Sequence, residues 1–178
     1  MSDGARVTIR PIRAPDLEIE RAFVRDLSVE SRYLRFLHPV RELDEPTLVR
    51  FTDIDYDHEM ALIAVICERG REVQIGVARY IVGDSGRDCE FAVVIADCWQ
   101  GKGIGGRLMS KLMDAARERG IETMEGLVLH GNRGMLALAD ALGFRAESVA
   151  GDASVRRVVR NLREARPVTP VGTIRPGV

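Results

Sequence analysis

This chain is poor in cysteine, histidine and aromatic residues, carries almost no net charge, and has no long apolar run. Its three cysteines, Cys67, Cys89 and Cys98, are odd in number and lack a C-x-x-C spacing, which argues against disulfide staples and a zinc site. They are expected to pack as small, reduced hydrophobes. His38 and His130 have no partner in sequence and suggest no site. A net charge of −1 supplies no global field to attract nucleic acid or an anionic membrane. No window is long and apolar enough to span a bilayer, and residues 1–6 lack the apolar stretch of a secretory leader. These absences point to a cytoplasmic protein with no nucleic-acid, membrane or metal partner.

What is present is a globular composition, 46% hydrophobic and 30% charged over 178 residues. That length fits one domain on a scale of ~100–200 residues per domain, and should bury ~70% of the surface its unfolded chain exposes. Residues 6–13 alternate basic with apolar or β-branched side chains, as a strand with one wet face does. Pro15 and Asp16 suit the opening of a helix whose apolar stripe is Leu17, Ile19, Ala22, Phe23 and Leu27. Ser28 is a candidate N-cap for a second helix that Pro39 ends, and Asp44 and Pro46 start a third.

Strands follow at residues 60–67, 73–82 and 89–96. The turns between them are too short for a parallel crossover, so they form an antiparallel meander. A glycine loop then leads into an amphipathic helix closed by Gly120. Strand 124–129 is parallel to the last meander strand because a helix connects the two. Asn132 caps another helix, Gly143 closes it, and residues 144–149 and 155–162 read as a final hairpin. The predicted order, βαα(α)βββαβαββ, is an α/β fold with a mixed, mostly antiparallel central sheet flanked by helices. It forms one domain over residues 1–163, with a disordered tail at 164–178.

The run Gln100-Gly101-Lys102-Gly103-Ile104-Gly105-Gly106 sits between a strand and a helix. Glycines there let the backbone approach a diphosphate closely, and the helix start offers unpaired N–H groups to it. Gly101, Gly103 and Gly106 also satisfy G-x-G-x-x-G, but a dinucleotide site needs an acid at the end of the second strand. That strand ends at Leu129-His130, and its acids, Glu122 and Glu125, lie at its beginning. No Lys-Ser or Lys-Thr pair follows the glycines, so this is not a Walker loop.

Gln100-x-x-Gly103-x-Gly105 resembles the (Q/R)-x-x-G-x-(G/A) signature of the GNAT N-acetyltransferase superfamily, and the resemblance runs from the Arg6 strand to Leu162. Residues 132–144, from Asn132-Arg133-Gly134 to Gly143-Phe144, look like that family's second cofactor motif. Ser31-Arg32-Tyr33-Leu34-Arg35-Phe36, Ile54-Asp55-Tyr56-Asp57-His58-Glu59-Met60-Ala61-Leu62 and Glu90-Phe91-Ala92-Val93-Val94 resemble the Pat-type bacterial protein lysine acetyltransferases. The resemblance implies acetyl-CoA as cosubstrate, without a metal. Gly101, Lys102, Gly103, Ile104, Gly105 and Gly106 would donate to its pyrophosphate. Val93, Val94 and Ile95 would pair with the pantetheine arm, and Asn132 would lie near the cofactor. The sheet would splay beside residues 93–95 to admit the thioester.

Only a neutral amine attacks a thioester, and a lysine of pKa near 10.4 is ~0.1% neutral around pH 7, so a base or a water relay is needed. The period-2 rule places Glu90, Ala92, Val94 and Ala96 on one strand face. An acid among small apolar neighbours is expected to be desolvated, and Glu90 matches the family's presumed general base. Many GNAT enzymes carry a thiolate-protonating tyrosine where this chain has Ala139. Tyr56 and His58, with Asp55, Asp57 and Glu59, suggest either an acidic lip for a cationic acceptor or a polar loop alone. Trp99 is expected to pack beneath the glycine loop. The acceptor implied is a protein lysine, with a small-molecule amine or a non-catalytic acyl-CoA-binding role as the alternatives.

Overall fold

The computed structural model describes residues 6–164. The elements are β1 (Thr8–Pro11), α1 (Leu17–Asp26), α2 (Val29–Phe36), α3 (Glu45–Thr52), β2 (Glu59–Glu68), β3 (Arg71–Val82) and β4 (Asp88–Ile95), followed by α4 (Ile104–Glu118), β5 (Thr123–Leu129), α5 (Arg133–Ala141), β6 (Arg145–Val149) and β7 (Asp152–Asn161). The tail expected to be disordered lies outside the described residues, apart from Glu164.

The predicted caps are in place. Ser28 Oγ accepts from Ser31 N at 3.1 Å, Asp44 Oδ1 from Thr47 N at 3.1 Å, and Asn132 Oδ1 from Met135 N at 3.1 Å. Each satisfies one N–H that the helix itself cannot. Pro15 and Asp16 differ from expectation: they form a separate 3₁₀ turn, Ala14–Asp16, ahead of α1. Asp16 is turned inward, taking two bonds from Arg10 at 2.7 and 2.9 Å and one from Arg13 N. The ion pair claims the carboxylate that would otherwise serve the helix start.

The strands pair in the order β1-β2-β3-β4-β5-β7-β6. β1 to β4 are antiparallel neighbours, β4 and β5 are parallel, and β5, β7 and β6 are antiparallel again. This is the expected mixed sheet, with a core on each face. On one face Leu108, Met109, Leu112 and Met113 of α4 pack on Ala64, Ile75, Ala78 and Tyr80. On the other, Phe23, Val24 and Leu27 pack on Ile63, Val65, Val77 and Val94. Burying each large side chain contributes ~1.5–3 kcal/mol, so the two seams hold the helices where the site needs them.

A bulge near Ala64 and Val65 leaves Ile75 without a partner on β2. The extra residue shifts the alternation, so Gln74 reaches Glu20 of α1 while Ile75 joins the opposite core. The cysteines correct an expectation. Cys89 is buried, with burial pushing its thiol up to about 12, but Cys67 and Cys98 are exposed. Cys67 closes the apolar run of β2 where it leaves the core, and Cys98 sits on a surface turn. Among the described residues no helix is long and apolar enough to cross a membrane.

Candidate active site

The site begins where two strands part. β4 and β5 pair over just three positions, Asp88 with Thr123, Cys89 with Met124 and Glu90 with Glu125. β5 then continues with β7 as far as Leu129, while β4 stays with β3 as far as Ile95. From Phe91 onward, the β5-facing edge of β4 is left without a strand. Phe91 is the wedge at the fork: its ring packs on Phe144 at 5.1 Å, and β5 passes it at Gly126. A Cβ at Gly126 would lie 2.9 Å from the Phe91 ring and 3.0 Å from its carbonyl oxygen, so no larger residue fits.

The glycine loop stands at the mouth of this fork. Gly101 and Gly103 have φ of +71° and +79°, a region costly to residues with a Cβ, and Gly103 is the N-cap of α4. A Cβ at either would meet nothing within 4 Å, so their role is conformational and the space before the loop is open. Gly105 differs: a Cβ there would come within 3.2 Å of Leu138 and 3.7 Å of Ile95. Its missing side chain lets the first turn of α4 close down on β4 and α5. The N–H groups of Ile104, Gly105 and Gly106 have no acceptor within the helix, and no acidic side chain occupies the first turn.

Fork and loop share one cleft of ≈ 380 Å³, lined by Val93, Val94, Ile95 and by Gln100, Gly101, Gly103, Ile104, Gly105 and Gly106, with Asn132 and Leu138 across from them. Of the residues expected at the cofactor, Lys102 alone is not in this lining. Its ammonium rests over the Trp99 ring, 4.6 Å from the centroid. Trp99 itself is half-buried against the α4 core and also lines the cleft, so it both supports the loop and faces the opening.

Sequence reasoning missed α2 as the fourth wall. Ser31, Leu34 and Arg35 line the cleft. Asp97 binds α2 in place, accepting from Ser28 N at 2.9 Å, Ser28 Oγ at 2.6 Å and Ser31 Oγ at 2.7 Å. Gln100 reinforces this by donating to Ser31 Oγ at 3.2 Å and to the Ile95 carbonyl at 3.1 Å. The signature glutamine is thus a bracket between β4, α2 and the loop. Nothing local in the sequence pairs Ser28 with Asp97, 69 positions on.

Glu90 occupies the predicted strand face with Ala92, Val94 and Ala96, opposite Ile81 of β3 and beside Glu125 of β5. It is exposed rather than desolvated, and it does not line the cleft. The loop at 55–59 divides into two roles. Tyr56, at φ +60°, is pinned by its hydroxyl to the Ile12 carbonyl and serves structure. His58 Nδ1 lies 3.0 Å from Asp55 Oδ2, which raises the imidazole pKa. The backbone N–H of His58, donating to Asp55 Oδ1 at 3.0 Å, together with that imidazole contact holds Asp55 down at about 2.

Beneath α1 lies an ion network that the sequence did not announce. Glu20 and Arg79 are both buried, their charged groups 3.9 Å apart, and Gln74 donates to Glu20. Arg79 also donates to the Phe51 carbonyl at 3.2 Å and stacks over the Phe51 ring at 4.2 Å. Burial pushes the Glu20 carboxyl up against the pull of Arg79 and Gln74, and pulls the Arg79 guanidinium down.

The Acetyltransferase (GNAT) family matches residues 21–144, which spans the fork, the loop and both helices after it. The chain belongs to the GNAT acetyltransferase family. Over 144 residues it is 40% identical to the acetyltransferase PA5475 of Pseudomonas aeruginosa, covering 81% of this chain and 77% of that one. It is 31% identical over 137 residues to the acetyltransferase Pat of Mycolicibacterium smegmatis, covering 76% of this chain but 40% of that longer protein. The GNAT domain of S. lividans PAT superposes with a TM-score of 0.80 at 29% identity, over 89% of this chain and 92% of that one. As an N-acetyltransferase of this family, the chain has its expected fold and the Pat-type likeness read from its motifs. In this GNAT chain Ala139 is buried in the core, so no side chain there can reach a leaving group.

Proposed function

We propose that this acetyltransferase binds acetyl-CoA in the cleft between β4 and β5 and transfers the acetyl group to a primary amine, most readily a protein lysine. The observation that carries this reading is the continuity of the open β4 edge with the N-terminus of α4. An extended arm carrying amides can add to Val93, Val94 and Ile95 as a strand would, while its diphosphate meets the donors of residues 101–106. The loop is built for such a group: two glycines hold backbone geometry and a third permits close packing. Asn132 braces α5 at the far wall through its bond to Met135 N.

In the transfer, the amine nitrogen bonds to the thioester carbonyl carbon, the C–S bond breaks, and CoA leaves as thiolate. The amine must first lose a proton. Glu90 is the proposed base; being exposed, it draws that proton through water rather than from within a dry pocket. Backbone N–H groups along the open edge of β4 stabilise the oxyanion. With Ala139 in the tyrosine position, water protonates the thiolate, whose intrinsic pKa of about 8.5 asks little of an acid. The Pat-like segments at residues 31–36 and 54–62 support lysine as acceptor, and the acids Asp55, Asp57 and Glu59 in the second segment would favour a cationic side chain.

Thiol release from acetyl-CoA, measured for wild type and Glu90→Gln, tests this reading with a lysine-bearing protein extract and a panel of small amines. The expected result is turnover on the extract that falls ~100-fold or more in the variant, the scale of losing a general base. Turnover confined to small amines would refute the lysine acceptor. Binding of acetyl-CoA without turnover on any acceptor would refute catalysis.

A further inference from the structure

Arg35 is the cationic group of the cleft wall with no task in the reading above. It stands one turn beyond Ser31 on α2, about 6 Å along the helix axis. Ser31 is fixed by Gln100 and Asp97 next to the glycine loop. The charges that act on Arg35 are Arg79 and Glu20, and Arg79 pairs with Ala92 in the middle of β4. α2 therefore runs back along β4, away from the diphosphate end and toward the end where the acyl group lies.

The electrostatics there are unbalanced. Arg79 has the carboxylates of Glu20 and Glu59 near it, whereas the one acid acting on Arg35 is Glu20, and that carboxylate is already engaged by Gln74 and Arg79. Arg35 makes no hydrogen bond to a carboxylate among the described residues; its guanidinium has the Phe36 ring 5.0 Å away and the cleft before it. Burial and the repulsion of Arg79 pull its pKa down to about 10, so it stays charged at neutral pH in an unfavourable setting. A half-buried cation with no carboxylate hydrogen-bonded to it is costly, and an anion delivered by the ligand relieves that cost.

We infer that Arg35 is a carboxylate-recognition site at the acyl end of the cleft, which lets this enzyme transfer dicarboxylic acyl groups of the succinyl type as well as acetyl. This rests on the proposed acyl-CoA chemistry and extends it. The amine nitrogen bonds to the thioester carbon, the C–S bond breaks, CoA leaves as thiolate, and the distal carboxylate stays unchanged on Arg35 throughout. Its planar fork suits bidentate pairing with that carboxylate, which a lysine could not reproduce.

The test compares kcat/KM for succinyl-CoA and acetyl-CoA, with one amine acceptor, in wild type, Arg35→Met and Arg35→Lys. Equilibrium binding of both thioesters and thermal melts accompany it. The inference expects wild type to use succinyl-CoA, and the succinyl-to-acetyl ratio to fall about 10- to 100-fold in Arg35→Met, the scale of a hydrogen bond between charged groups. Arg35→Lys, which keeps the charge, should lose less, and it serves if the methionine variant melts early. A wild type that uses acetyl-CoA but rejects succinyl-CoA overturns the inference. So does a ratio unmoved by either substitution, or a defect that instead tracks carboxylates on the acceptor. If neither thioester is turned over, the acetyltransfer reading has failed. The binding ratios then decide the site: equal losses for both thioesters refute it, and a selective loss of succinyl-CoA affinity sustains it.

Discussion

Gly103 and Gly70 form a matched pair that isolates the work of the glycine loop. Gly103 caps α4 at φ +79°, and Gly70 sits in the β2–β3 turn at φ +78°. A Cβ at either would meet no atom within 4 Å. Replacing each by alanine therefore costs the left-handed backbone penalty alone, ~1–2 kcal/mol. In a domain of this size each kcal/mol lowers Tm by ~2–4 °C, so both variants should melt ~2–8 °C below wild type.

They should part company when acetyl-CoA is added. At a ligand concentration of 100 Kd, wild type and Gly70→Ala gain ~2.7 kcal/mol. Gly103→Ala tilts the first N–H groups of α4, and a backbone bond to a charged oxygen is worth ~1.5–3 kcal/mol. A tenfold weaker Kd would leave ~1.4 kcal/mol at the same concentration, about half the stabilisation. Thermal melts of the three proteins, with and without acetyl-CoA, read this directly. Equal acetyl-CoA shifts in the two variants would refute the loop as the diphosphate cradle.

Gly126→Ala should destabilise the fold by ~1–3 kcal/mol in chemical denaturation, because the new methyl presses on the Phe91 carbonyl as well as its ring. Asp97→Ala removes three hydrogen bonds that hold α2. Its stability should fall by ~1–2 kcal/mol, with KM for acetyl-CoA rising more than kcat falls. His58 should titrate above its ordinary 6.5 by NMR and return toward it in Asp55→Asn. The sign follows from the raised folded value: the His58–Asp55 contact favours folding fully below pH 6.5 and ceases to as pH rises through the folded pKa. An unshifted His58 in wild type would show that the contact does not form in solution.

Much of this was legible because the responsible signals are local. The caps at Ser28, Asp44 and Asn132, the alternation along β4 and the glycines at 101, 103 and 105 each act within a few residues. The places where sequence reasoning failed are those where a distant element intervenes. Asp16 was claimed by Arg10, Cys67 and Cys98 fell outside the core, and Glu90 stayed in solvent. A bulge beside Gln74 reverses alternation, and no residue type announces it.

By itself, then, the sequence determined which segments are helix or strand, their order, and the glycine-rich strand-to-helix loop at residues 100–106. Those properties follow from side-chain period, backbone preference and short-range hydrogen bonds. Tertiary structure decided where the strands part and what walls the cleft. Phe91 and Gly126 are 35 positions apart, and Asp97 reaches back to Ser28 and Ser31. Arg35 likewise meets Arg79 and Glu20 only once α2 lies along β4. Such contacts depend on packing between elements, and packing is fixed only when the whole sheet closes on both its cores.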